Sequence, residues 1–355
     1  MHHIAIDLGS RKSQISIRQD DGTIISEQKV DTHNIAPYLI YRNPGRVILE
    51  TCSEAFAVAD VVKKIGLAPV VVPATLAPLL GVGYHGIKND KTDANILSKA
   101  SCGYAAASLP MPSVHIPSLQ SRERKSQIAM RQTMVECRTA MINSVHGWLR
   151  SNLILVPTGE AESFPQRVRL ALQNSHRSNP YFVEEQLKAI ENQTESIDKM
   201  TAAIKKIAKS DPICQLLMTI PGVGPIISLA FASVIDDVTR FPNAKAVASY
   251  LGLTPGENSS SKREKTTGIT KAGPELLRQL LVQASWCMWR TRIGDPMVQW
   301  GRAIAGRRVK PVAITAMARK LSGILFAIMR DGVSFKPNKA VAPIESKKTT
   351  TKIPA

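Results

Sequence analysis

Four carboxylates in the first hundred residues have the types and placement that phosphoryl chemistry uses. Asp7 lies in the first apolar run, "HIAIDLG". Glu50 ends a later run, "RVILE", and "KNDKTDA" sets Asp90 and Asp93 three apart at the start of a helix. Residues i and i+3 share a helix face, so this pair can point at one ion or at two. Hard oxygen ligands gathered from separate elements suit Mg²⁺ and the phosphoryl reactions that use it. Taken singly none carries meaning, because an Asp that opens a helix is usually an N-cap. A second candidate is "TPGENSSSKREKTTGITKAG", residues 254–273, where Ser259, Ser260 and Ser261 adjoin Lys262 and Arg263. A hydroxyl there is either a nucleophile or part of a solvated loop, and at neutral pH a serine needs a base or an activated target. No histidine follows His176, so a Ser-His-Asp triad reaches these serines only by a long return along the chain. The same shortage disfavours a tyrosine recombinase and a paired-histidine nicking enzyme.

The elements that must position these groups are legible as patterns. "HIAIDLG" and "SQISIRQ" alternate as strands, "DDGTIISEQKV" turns into a third, and "RVILE" is a fourth. A helix through "EAFAVADVVKKIG" leads to a buried fifth strand, "APVVVP". Three strands in a meander, then strand and helix alternating, is the order of a ribonuclease H-like domain. Residues 119–152 and about 181–209 keep apolar residues at helical spacing. Joined through "VPTGEAESFPQRV", they predict an antiparallel arm or coiled coil. From 211 onward the pattern is helical with loops. There "TIPGVGPIISLAFASVI" predicts a helix-hairpin-helix whose Gly222 and Gly224 allow backbone N–H groups to approach a phosphate. The expected division is 1–112 α/β, 113–210 helical arm, 211–333 helical C-terminal domain and 334–355 a disordered basic tail.

Composition names the kind of partner. Lys and Arg total 46 against 28 Asp and Glu, a net charge of +18, and 44% of residues are hydrophobic. A folded protein so basic points to nucleic acid. Lys262, Arg263, Lys271 and Arg278 are expected among the phosphate contacts. Five cysteines with no close pair argue against a zinc site or disulfide frame and favour a reducing cytosol. The uncharged run 216–235 is broken by Pro221, Gly222, Gly224 and Pro225, which favours a soluble turn and a buried helix over a membrane span.

Together, Asp7, Glu50, "KNDKTDA", "IPGVG", "YLGLTPGENSS", "GITKAGPELLR" and "AMARKL" resemble, in that order, the DEDD-type transposases of the insertion sequence 110 family. That family includes Piv-type DNA invertases. The resemblance spans about residues 4–330. It implies a RuvC-like N-terminal domain, a coiled-coil arm and a C-terminal transposase domain with a serine nucleophile. It also implies Mg²⁺ on Asp7, Glu50, Asp90 and Asp93, DNA as substrate, a bridge RNA encoded by the element, and a homo-oligomer, dimer or tetramer, with sites shared between subunits. A cytoplasmic, nucleoid-associated setting without membrane goes with it. Counting back from Ile269 and Lys271 puts the nucleophile at Ser260, although Ser261 stands where the family has glycine. The competing expectations are a RuvC-like nuclease or resolvase that uses water, and a Piv-like site-specific invertase.

Overall fold

The protein is described from a computed structural model, for residues 1–42, 45–82, 89–260 and 263–336, with the backbone only at 257–260 and 263–267. It divides into two compact units, Met1–Pro117 and Ser118–Ala355.

The first unit is built on a five-stranded mixed sheet: β1 (His2–Asp7), β2 (Lys12–Arg18), β3 (Ile24–Asp31), β4 (Gly45–Glu50) and β5 (Ala68–Val72). The spatial order is β3-β2-β1-β4-β5. β1 pairs antiparallel with β2 and parallel with β4, so the first three strands form the expected meander and the last two the expected alternation. Alternation divides the sheet into two unlike faces. On one, Ile4, Ile6, Ile15, Ile17, Val47 and Leu49 pack with α1 (Ile35–Leu39) and α2 (Ala55–Lys64) in an apolar core. On the other, Ala5, Ile48 and Val72 meet Leu97 of α3 (Asp90–Ala106), and much of the remainder is polar.

The second unit opens with α4 (Leu119–Ser151), and α5 (Phe164–Asn174) and α6 (Tyr181–Ser210) come after it in the chain. At about 1.5 Å per residue, α4 extends roughly 50 Å. Its start is anchored where Ser118 caps the helix and both Ser118 and Ser121 hydrogen-bond the Asp236 carboxylate. α4 and α6 lie side by side, cross-linked by Arg131 to Thr201 and by buried Arg138, which reaches Glu162 at 2.9 Å and Thr194 at 3.3 Å. α5 closes the far end around Phe164, Val168 and Leu172, which pack with Val145, Leu149, Val183 and Leu187.

The arm is continuous with the C-terminal helices. Ile128, Ile204 and Ala208 belong to the same core as α7 (Pro212–Leu217), α8 (Pro225–Ile235), α9 (Ala244–Tyr250), α10 (Glu275–Thr291), α11 (Pro296–Ala305) and α12 (Lys310–Asp331). A helix pair needs burial along its length, and these six helices provide it at the base. α12 is, among the described residues, long and apolar enough to cross a membrane, but half of its apolar window is buried against this core.

The β element of the second unit departs from expectation. The serine segment forms a hairpin, β6 (Pro255–Ser260) with β7 (Arg263–Ile269), rather than an irregular loop. "GENSSSKREKTTG" has no apolar residue to reveal a strand, because neither hairpin face requires one. Of the expected tail, residues 337–355 lie outside the described residues.

Phe164 is buried at the arm's far end, with its ring centroid 4.7 Å from that of His146. Phe164→Ala should cost about 3–5 kcal/mol locally. Hydrogen exchange should quicken over residues 141–190 while α10 and α12 keep their protection.

Candidate catalytic carboxylates and nucleic-acid face

The register of the sheet makes two of the four expected carboxylates neighbours, and α3 carries a third on the face that packs against them. Asp7 ends β1 and Glu50 ends β4, and the parallel pairing His2↔Gly45 through Ile6↔Leu49 makes them neighbours at adjacent strand ends. Both alternate with residues that face α3: His3 and Ala5 precede Asp7, and Ile48 precedes Glu50. α3 then supplies the third. His3 Nδ1 lies 2.7 Å from Ser101 Oγ, and Ala5 packs with Leu97. Two strand residues and one helical turn advance nearly the same distance, so the next step pairs Asp7 with Asp93.

Asp93 is only 5% exposed, and its Oδ1 has no hydrogen-bond partner. A buried carboxylate oxygen without a partner is costly and is expected where a ligand completes the site. An unpartnered carboxylate oxygen on the helix that packs against β1 suits a hard divalent cation.

Asp90 is placed differently. It is exposed, and its Oδ2 accepts a 3.1 Å charge-assisted bond from Lys29 on β3, the edge strand on the far side of β2. Asn89 takes the N-cap position, its side chain accepting from Lys91 N–H. Among the described residues no three His, Cys, Asp or Glu side chains are drawn together as a ready metal cage. The expected quartet is therefore Asp7 and Glu50 at adjacent strand ends, Asp93 buried on α3, and Asp90 paired with Lys29.

A Ser–His–Asp array that sequence reading did not find joins the same face. His3 Nδ1 meets Ser101 Oγ, and His3 Nε2 meets Asp20 Oδ1 at 3.0 Å. Ser101 and His3 are fully buried, so no substrate reaches the hydroxyl. The array ties α3 to β1. Beside it Ser98 bonds both Ser16 and Arg18, and Asn95 bonds Glu27 and Arg18.

In the second unit the serine hairpin stands on a rigid foot. Thr270 N–H donates to Thr254 O, and Lys271 N–H to Gly252 O. Gly252 and Gly273 both have positive φ, and their Cα atoms press on neighbouring backbone. A Cβ on Gly252 would sit 2.2 Å from Ala272 O, and one on Gly273 2.0 Å from Tyr250 O. Lys271 itself is left-handed at φ 55°. Arg278, expected at a phosphate, is buried instead, its Nη1 donating to Leu251 O at 3.2 Å and Ala272 O at 3.0 Å. It holds the two strands of the foot together. Ser260 is the last residue of β6 and pairs with Arg263 in register. The side chains of Ser259, Ser260 and Arg263, and all of Ser261 and Lys262, lie outside the described residues.

The glycine hairpin is decided by packing. Gly222 has φ +84°, and a Cβ there would meet Met288 Cγ at 2.6 Å, whereas one on Gly224 would meet nothing within 4 Å. Gly224 is the N-cap of α8. Nearby, Cys214 is buried and its thiol is pushed up to about 12 by desolvation, with Asp211 adding to the shift, so it stays protonated and unreactive.

The face of α10–α12 interleaves cations with indoles. Lys310 Nζ lies 5.2 Å from the Trp286 ring and 5.4 Å from Trp289. Arg290 covers Trp286, Arg302 covers Trp289, and Lys320 lies 4.5 Å over Trp300. Such surfaces suit phosphates and exposed bases. Sequence reading counted the charges of this half but missed the tryptophans, although the run "WCMW" was a visible signal.

Residues 214–297, from α7 to the start of α11, match the transposase family described as IS116/IS110/IS902. Over nearly its whole length the chain is similar to the transposase for insertion sequence element IS1111A of Coxiella burnetii. The two are 24% identical across 92% of this chain and 89% of that protein. It is also similar to the transposase for insertion sequence element IS1328 of Yersinia enterocolitica, at 25% identity across 94% and 98%. A probable family 20 transposase of Pseudomonas aeruginosa is 23% identical across 95% and 99%. The match over 214–297 and the near full-length likenesses together support an insertion sequence 110 family transposase.

These placements have two measurable outcomes. Asp93→Ala removes a buried unpartnered oxygen, so without metal it should raise the unfolding midpoint of the first unit by roughly 2–4 °C, about 1 kcal/mol. Added Mg²⁺ should stabilise the wild type and leave Asp93→Ala unmoved in the same thermal scan. Arg278→Ala strands two carbonyls and should destabilise the second unit by about 2 kcal/mol in urea titrations.

Proposed function

We propose that this chain is a DNA transposase that cuts and rejoins strands by serine transesterification. The observation that carries the chemistry is the adjacency of the strand ends that bear Asp7 and Glu50, with a buried carboxylate oxygen of Asp93 left unpartnered on the helix packed against that sheet. The family match and the full-length likeness to insertion-sequence transposases support the overall activity.

In this reading Ser260 Oγ attacks a backbone phosphorus. A serine–phosphorus ester forms as one phosphodiester oxygen leaves as a free hydroxyl, which takes up the proton the serine gives. A hydroxyl of the partner strand then attacks the phosphoserine, re-forming a phosphodiester and releasing Ser260. Each step exchanges one ester for another, so no nucleotide triphosphate is consumed. Asp7, Glu50 and Asp93 would hold Mg²⁺, joined by Asp90 once it releases Lys29. The ion, when bound, neutralises developing charge on the phosphate. Lys262, Arg263 and Lys271 flank the serine and favour the anionic strand. Arg278 keeps the hairpin foot rigid and thereby orients the tip.

The strand order of the first unit supports reading it as RuvC-like. By resemblance, a bridge RNA pairs with donor and target DNA and sets their sequences, and the active assembly is a homo-oligomer. A Piv-like invertase would share the same machinery and differ in the DNA supplied.

Ser260→Ala should abolish covalent protein–DNA adducts on denaturing gels and leave DNA binding within about twofold. Adducts that persist would sink the serine assignment, and hydrolysed ends without adducts would favour attack by water. Asp93→Asn should remove Mg²⁺-dependent cleavage by about a hundredfold or more.

A further inference from the structure

A cavity of about 480 Å³ opens where α9, α11 and α12 meet, and neither the carboxylates nor the hairpin accounts for it. Its floor is small and apolar: Ala248, Ala316 and Gly323. Trp300 forms a flat wall, and Lys245, Arg319 and Lys320 contribute three cations. The volume falls in the range of roughly 300–1,000 Å³ typical of sites for small organic groups.

The charges are unusual in one respect. Among the described residues, no carboxylate forms an ion pair with Lys245, Arg319 or Lys320. Lys320 is partly buried, its ammonium lies over the Trp300 ring, and desolvation lowers its pKa. An incompletely solvated cation without a counterion favours an incoming anion. A planar wall, an apolar floor and unpaired cations together match one nucleotide, its base against the indole and its phosphate among the cations. Bases in a duplex are paired and stacked, so only an unpaired nucleotide enters such a cavity.

A second cavity of about 390 Å³ connects this place with the proposed chemistry. It lies at the foot of the serine hairpin, against Pro255 and Ile269, and shares Ala316 and Arg319 with the first. No side chain lining the first cavity is a hydrogen-bond acceptor, so none accepts the proton of a ribose 2′-hydroxyl.

We propose that this cavity receives an unpaired nucleotide of the DNA strand held at the serine hairpin, its base against Trp300 and its phosphate between Arg319 and Lys320. The inference rests on the chain's acting on DNA and adds where the strand leaves the helix. Arg319, on the wall common to both cavities, would contact successive phosphates.

The test uses the full chain and a single-stranded deoxyoligonucleotide of about twelve nucleotides carrying one 5-iodouracil. Ultraviolet crosslinking followed by mass spectrometry should map the adduct to the peptide containing Trp300. In anisotropy titrations Trp300→Ala should weaken single-strand binding roughly tenfold, Trp300→Phe should restore most of it, and affinity for a blunt duplex should change less than about twofold. Ala316→Phe fills the cavity and leaves every cation in place, and with circular dichroism unchanged it should weaken single-strand binding to the same degree. Crosslinks confined elsewhere, an Ala316→Phe variant that binds as wild type, or equal losses on duplex would each overturn the proposal. So would tighter binding of the matching RNA strand with the same dependence on Trp300. A protein that crosslinks at Trp300 but forms no serine adduct would refute the serine chemistry alone. One that forms adducts without crosslinking there would refute the cavity alone.

Discussion

The contact between α3 and the polar face of the sheet is the constraint on which the rest of the candidate metal site depends. His3, Ser16 and Arg18 meet Ser101, Ser98 and Asn95 there through buried hydrogen bonds. Such bonds contribute little net stability but are costly to break one at a time, because each abandoned partner stays buried. They therefore act as a register lock. A helix gripped only by leucines could slide or turn by a fraction of a residue, whereas one gripped by directional bonds cannot. Asp93 lies two turns from Ser101 on the same stripe, so the lock at one end sets the carboxylate at the other. The strained element is Asp93 itself, and a site that carries unsatisfied polarity for the sake of a ligand trades stability for function.

The second unit applies the same logic to a β-hairpin. Two strands with no apolar residue between Pro255 and Ile269 cannot hold themselves in place. Their foot is fixed instead by a backbone-on-backbone contact that only Gly252 and Gly273 permit, and by Arg278, whose guanidinium bonds carbonyls on both sides. The tip carrying Ser260 thus extends from a rigid base while its own sequence stays polar and basic. A polar, basic tip and an ordered foot are separated along one short element.

The arm shows why sequence boundaries and structural boundaries differ. Its helices end where the pattern predicts, but their basal residues complete the core of the C-terminal helices, and the chain divides after Pro117 instead. Motion of the arm as a rigid lever would have to disrupt that shared core at Ile128, Ile204 and Ala208. The tryptophans of α10 and α11, covered by cations that include Lys310 and Lys320 of α12, give that same core a basic outer surface.

The sequence by itself determined the element order, the strand alternation that places Asp7 and Glu50 on one face, the long helices of the arm, and the basic character of the C-terminal half. These come from local periodicity and composition, which need no knowledge of partners. Only the tertiary structure decided that Asp93 turns inward while Asp90 turns to Lys29, since i and i+3 share a face and the neighbour chooses between them. It alone decided that Arg278 serves the hairpin foot, that Gly222 answers to Met288, and that Lys245, Trp300 and Lys320, far apart in the chain, border one cavity. Each of these depends on which surfaces meet, and contact between distant segments leaves no period in the sequence to read.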